Sequence, residues 1–137
     1  IFSANVDYRL VRYGNVIYST GSVLCLWKEK LLKGDEIIIT DKTVTRFYWT
    51  REDAIQLIFD CLEQSTSCEP YLPEMKSMIL GDILSAMVKK YLPSNKTLLV
   101  KEIGLQYGEN LHERLVMDGP TSNDVTKYTS DEIYNMI

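Results

Sequence analysis

The stretch "TRFYWTREDAIQLI", residues 45–58, carries the reading of the fold. Its first part, with Val44 before it, is dense in aromatic and β-branched residues and predicts a short strand ending at Trp49. Thr50 then has the character of a helix N-cap, and Asp53 stands three residues on as its capping-box partner. Ala54, Ile55, Ile58, Cys61 and Leu62 recur at helical spacing, which predicts an amphipathic helix over residues 51–64. Arg46 therefore sits on a strand a few residues before a helix N-terminus, where a guanidinium can hold an anion.

Working outward, strands and helices alternate. "YRLVRYGNV" (residues 8–16) predicts one buried parallel strand closed by a Gly-Asn turn. "GSVLCLWKEKLLKG" predicts a helix with Val23, Leu24, Trp27 and Leu31 on one face and Gly34 as terminator. "DEIIIT" is a strand, residues 65–69 a polar turn, and "PYLPEM" an extended, proline-marked piece. Ile83, Leu84, Met87, Val88 and Tyr91 form a helical stripe that Pro93 ends. "TLLVKEIG" predicts a strand and "ENLHERLV" a short helix. Residues 118–130 read as a polar, mobile tail, with "IYNMI" as a last extended piece. The alternation predicts an α/β class, with residues 1–117 as the folded portion and 118–137 as the tail.

The 137 residues suffice for one domain with a core, and the hydrophobic fraction of 45% is that of a globular chain. A net charge of −4 without a basic face speaks against nucleic acid as a partner. No apolar run reaches the length of a membrane span, and no secretory leader is visible. Three irregularly spaced cysteines predict free thiols in a reducing, cytoplasmic setting. A single His and scattered carboxylates make no metal-ligand cluster. The chain also lacks a phosphate-binding glycine loop, a Tyr followed four places later by Lys, and a buildable Ser/His/Asp set.

Six segments in register carry a resemblance: "RYGNV", "GSV", "TDKTVTRFYWTREDAIQLI", "PYLPEMKSM", "GDIL" and "IGLQYGENLHE". Together they resemble the C-terminal half of the inverting UDP-N-acetylglucosamine 4,6-dehydratases, extended short-chain dehydrogenase/reductases of polysaccharide and glycan synthesis. The implied architecture is the last Rossmann strand plus a small substrate-binding α/β region. The resemblance implies that the NADP-binding glycine loop and the catalytic Tyr and Lys lie in an N-terminal half, present in cis or as a separate subunit. It assigns no catalytic residue here, and it implies that this chain alone is inactive and belongs to an oligomer. It further implies that Arg46 binds the diphosphate of a UDP-sugar, that Asn15 donates to the nucleotide sugar, and that Ser22 and Val23 open a helix toward it. Glu109 corresponds to an acid on the ribose hydroxyls, and Tyr13 lies on the cofactor side. Gln106 stands where the family carries a second diphosphate-binding Arg, and "YSTGS", with Tyr18 and Thr20, replaces a small, basic loop.

Without the resemblance, each residue also has a plainer reading. Arg46 fits a strand-end ion pair, Asn15 a turn, Ser22 an N-cap, Glu109 a first-turn charge and His112 a packing residue. Two other functions fit the same features: a non-catalytic scaffold that pairs with a complete dehydratase, and the matching half of a nucleotide-sugar epimerase.

Overall fold

A computed structural model describes residues 6–137. In chain order its elements are β1 (Leu10–Val11), β2 (Asn15–Val16), α1 (Val23–Lys33), β3 (Ile37–Ile39), β4 (Thr45–Trp49) and α2 (Arg51–Gln64). There follow β5 (Pro70–Tyr71), β6 (Ser77–Ile79), α3 (Leu80–Tyr91), β7 (Val100–Glu102) and α4 (Ser130–Met136). The class is mixed α/β, with parallel pairing in β1–β5, β2–β4 and β3–β7 and antiparallel pairing in β4–β6.

The strand-to-helix unit forms as its sequence dictates. Thr50 accepts from the Asp53 N–H at 3.0 Å while Asp53 accepts from the Thr50 N–H, closing the capping box. Two layers pack against β4. On one side Tyr48 joins Leu24, Trp27 and Leu31 of α1 and Ile83 and Met87 of α3. On the other, Phe47, Ala54, Leu57 and Cys61 are buried.

The buried stripe of α2 differs from the predicted one. Ala54, Leu57 and Cys61 face inward, whereas Ile55, Ile58 and Leu62 are 50%, 44% and 62% exposed. The helix thus carries two apolar stripes, and the short strands of this chain cover one of them.

The predicted single strand over residues 8–16 is two short ones. β1 pairs with β5, and β2 pairs with β4. The break falls before Gly14, whose backbone lies against β4: a Cβ there would stand 2.4 Å from the Phe47 carbonyl oxygen and 2.6 Å from its Cβ.

"ENLHERLV" is not a helix. Its Leu111 carbonyl accepts from Thr45 N–H at 3.0 Å, and Glu113 accepts from Phe47 N–H at 2.9 Å, so the segment runs extended along the edge of β4. An unpaired strand edge outcompetes local helix propensity here, because it offers N–H groups that would otherwise be left without acceptors.

The end of the chain is likewise folded where an extended piece was expected. Thr129 and Glu132 form a second capping box at the start of α4, and Ile133 and Ile137 enter the core. Lys76 ties α4 back to the body through Glu132 at 2.7 Å.

Two predictions follow from the packing. Gly14→Ala drives a methyl into strand backbone that β2 and β6 hold from both sides, and should cost about 1–3 kcal/mol in denaturant unfolding. Glu132 is held down to about 2, from an ordinary 4.5, by the Lys76 ammonium and by the Thr129 N–H and hydroxyl. A depressed carboxylate contributes fully above its unfolded pKa, so this contribution should fade as pH falls from about 4.5 toward 2. Amide-exchange protection in α4, taken relative to the intrinsic rate at each pH, should fall across that window in the parent and show no such step in Glu132→Gln.

Candidate functional site

One cavity of about 210 Å³ gathers four of the residues expected to act together: Asn15, Val23, Arg46 and Glu109. Its remaining walls are mainly apolar, with Trp27, Ile39 and Val44 among them. Each of the four reaches it from a different part of the chain. Arg46 comes from β4, Asn15 from β2 and Val23 from the first turn of α1. Glu109 comes from the tight turn after β7, which the Glu109 N–H closes onto the Gln106 carbonyl at 2.9 Å.

Arg46 is oriented before any ligand arrives. Its Nη1 donates to the carbonyls of Thr45 at 2.8 Å and Leu111 at 3.2 Å, and its Nη2 lies 3.5 Å from Glu109 Oε1. The side chains of this pair are 18% and 27% exposed, so it is partly shielded from water. A guanidinium has five N–H donors. Three are engaged here, and the other two have no protein acceptor among the described residues. Glu109 also accepts from Thr40 at 3.3 Å and from the Gln106 N–H at 3.2 Å. The result is a cation with spare donors beside a carboxylate with spare lone pairs, in an apolar recess. That set suits a ligand bearing both an anion and hydroxyls.

Ser22, Gln106 and Tyr13 stand outside this set, and Asn15 enters it with part of its amide already engaged. Asn15 donates one amide N–H to the Phe47 carbonyl at 3.3 Å, which leaves its second N–H and its side-chain oxygen without a protein partner among the described residues. Ser22 occupies the N-cap of α1, but its hydroxyl makes no cap bond and points to Cys25 Sγ at 3.5 Å, so the first-turn N–H groups are not capped by it. Gln106 does not line the cavity, and its amide donates to the Gly104 carbonyl of its own loop at 2.9 Å. Tyr13 lies apart, with its hydroxyl donating to the Ala54 carbonyl of α2 at 3.0 Å.

Tyr18 is the one non-glycine residue with positive φ among those described, at 57°. A left-handed conformation costs an L-residue about 1–2 kcal/mol. Its hydroxyl contact with Tyr91 at 2.9 Å and the Lys28 ammonium over both rings oppose that cost and pin the loop to the end of α3.

Residue-by-residue reading missed the groups that hold the site in shape. Thr45 is buried and contacts His112 Nδ1 at 2.8 Å and Ser122 Oγ at 2.7 Å. Ser122 in turn donates to the Thr45 carbonyl at 2.9 Å and accepts from the Glu113 N–H at 2.8 Å. All these contacts are satisfied together in one way. The Ser122 proton goes to the Thr45 carbonyl, the Thr45 proton to Ser122, and His112 must then donate from Nδ1 to Thr45. No sequence spacing could signal this, since Thr45 and Ser122 are 77 residues apart. The arrangement predicts that neutral His112 is the Nδ1–H tautomer. Nitrogen-15 shifts of the imidazole should show it in the parent and show its loss in Thr45→Val.

Comparison with known proteins places this geometry in context. The model of the family described as "Polysaccharide biosynthesis protein" matches residues 2–136. An inverting UDP-N-acetylglucosamine 4,6-dehydratase of Campylobacter jejuni is 33% identical over 110 residues, which is 80% of this chain and 31% of that protein. A UDP-glucose 4-epimerase of Rickettsia canadensis is 28% identical over 118 residues, 86% of this chain and 33% of that one. The chain thus spans about a third of the length of the curated relatives it matches. The X-ray structure of Pen from Bacillus thuringiensis superposes with a TM-score of 0.77 at 23% identity, over 91% of this chain and 46% of that one.

Proposed function

The chain belongs to the polysaccharide biosynthesis protein family, and from that premise we propose that it is the UDP-sugar-recognising part of an NADP-dependent UDP-N-acetylglucosamine 4,6-dehydratase. The observation that carries the reading is the convergence of Arg46, Glu109, Asn15 and Val23 on one cavity. In this reading the spare Arg46 donors take the diphosphate, and Glu109 accepts from ribose hydroxyls. The Asn15 oxygen and the uncapped start of α1 at Ser22 and Val23 meet the rest of the nucleotide. A diphosphate entering here competes with Glu109 for Arg46, so the 3.5 Å ion pair is the contact that ligand loosens.

This chain contributes recognition in that scheme. The titratable groups lining the cavity are Arg46, Tyr48 and Glu109, a binding set without a nucleophile beside a base. Bound NADP would supply the redox chemistry, oxidation at sugar C4 and reduction at C6 around loss of water across C5–C6. The described residues do not fit a site for it, because they hold no phosphate-binding glycine loop and the Tyr13 hydroxyl is committed to α2. The cofactor and the catalytic groups are therefore assigned to an N-terminal Rossmann half, with the exposed ring of Tyr13 left to face it. The exposed stripe of α2, Ile55, Ile58 and Leu62, together with the exposed Leu10 of β1, is the surface proposed for that half. A membrane span is not part of the scheme: among the described residues no helix is long and apolar enough to cross a bilayer. A cytoplasmic, oligomeric enzyme fits nucleotide-sugar chemistry. The likeness to a UDP-glucose 4-epimerase favours epimerisation as the second reading, since the residues that choose between the reactions fall outside this cavity.

UDP titration by calorimetry tests the assignment. Arg46→Ala should weaken binding by about 1.5–3 kcal/mol, the worth of a charge-assisted bond, or roughly ten- to a hundredfold. Gln106→Ala should cost clearly less, and Gln106→Arg should tighten binding by restoring a cation. The reverse order would show that the diphosphate lies elsewhere.

A further inference from the structure

A second donor faces the ligand space beside Arg46. Tyr48 follows Arg46 by two positions on β4, and alternation along a strand turns both side chains to one face. Tyr48 is 6% exposed, and its ring packs with Trp27 and Ile39 in the main core. It lines the same cavity as Arg46, Asn15 and Glu109. Tyr48 also borders a 320 Å³ cavity whose lining includes Trp49, Lys76 and Tyr128. Alternation along β4 sets its side chain on the face that carries Arg46.

Its hydroxyl has no hydrogen-bond partner among the described residues. The buried hydroxyls nearby are all engaged: Thr45 with His112, Ser77 with the Ser122 carbonyl, and Ser122 with the Thr45 carbonyl. The Tyr48 hydroxyl is not among the fully buried unpartnered atoms, where Trp49 Nε1 stands alone among the described residues, so it stays open to solvent or a ligand. Burial raises the Tyr48 pKa to about 12 against the opposing pull of the Arg46 charge, so the group keeps its proton and acts as a donor at any physiological pH.

We infer that Tyr48 is a specificity-determining residue of this cavity, its O–H donating to a phosphoryl oxygen of the nucleoside diphosphate that Arg46 holds. The inference rests on the diphosphate reading above. It supplies from the strand the second contact that Gln106, bonded to Gly104 outside the cavity, does not make. A neutral donor beside a cation gives an anion two differently directed bonds without adding a second buried charge.

The test compares UDP and uridine binding by calorimetry for the parent chain, Tyr48→Phe and Arg46→Ala, with an unfolding curve for each. Tyr48→Phe should bind UDP about tenfold more weakly, bind uridine as the parent does, and unfold no earlier than the parent. If Tyr48→Phe binds UDP like the parent while Arg46→Ala loses it, the Tyr48 inference falls and the diphosphate reading stands. If Tyr48→Phe weakens UDP and uridine equally, the hydroxyl serves the nucleoside and the assignment to phosphate is overturned. If the parent itself fails to bind UDP at millimolar concentration, both readings fall together.

Discussion

The edge of β4 is the constraint on which the rest of this structure depends. Thr45, Phe47 and Trp49 turn their backbone groups to one side, and two separate segments, residues 111–113 and 15–17, pair them. Leu111 takes the Thr45 N–H, Glu113 takes the Phe47 N–H, and Asn15 donates to the Phe47 carbonyl. The Ile17 N–H then donates to the Trp49 carbonyl at 2.9 Å. Where β2 ends, side chains finish the ladder that a longer strand would have provided. The segments that satisfy that edge also bring Asn15 and Glu109 to the sides of Arg46.

A buried strand edge with unmatched groups is costly, and this explains why so many short-range rules give way around β4. The helix expected at residues 109–116 yields to an extended run. Gly14 is held against Phe47 where a side chain would not fit. The hydroxyls of Thr45 and Ser122 join the backbone pairing, so His112 becomes part of the scaffold that fixes the Leu111 carbonyl and, through it, Arg46. The contacts that fold this edge and the groups proposed to bind a ligand share the same atoms here.

The two departures from the family's motifs have different structural characters. Gln106 turns onto its own loop and leaves the cavity with one cation. Tyr18 accepts a left-handed backbone and is held there by Tyr91 and Lys28. The first changes the charge that a ligand meets, while the second preserves a loop shape with an unfavourable residue. The second apolar stripe of α2, Ile55, Ile58 and Leu62, stays exposed beside the short β1–β5 pair.

Local chemistry was legible in the sequence wherever a few neighbouring residues decide the outcome. The capping box at Thr50, the span of α2, the left-handed stop at Gly34 and the breaker at Pro93 all follow from contacts within one turn of chain. The short strands around Ile38 and Phe47 follow from their β-branched and aromatic side chains. Motif order named Arg46 and Glu109 as separate ligand contacts, but their direct pairing across 63 residues came only from the tertiary structure. What the tertiary structure decided is which surfaces meet. It chose the Ala54–Leu57–Cys61 stripe of α2 over its neighbour, laid residues 111–113 along β4, and folded the expected tail into α4 with Ile133 in the core. It also turned Gln106 away and Tyr48 inward. Each of these depends on which distant backbone groups and apolar faces are left unsatisfied after the local elements form, and no pattern of neighbouring residues encodes that.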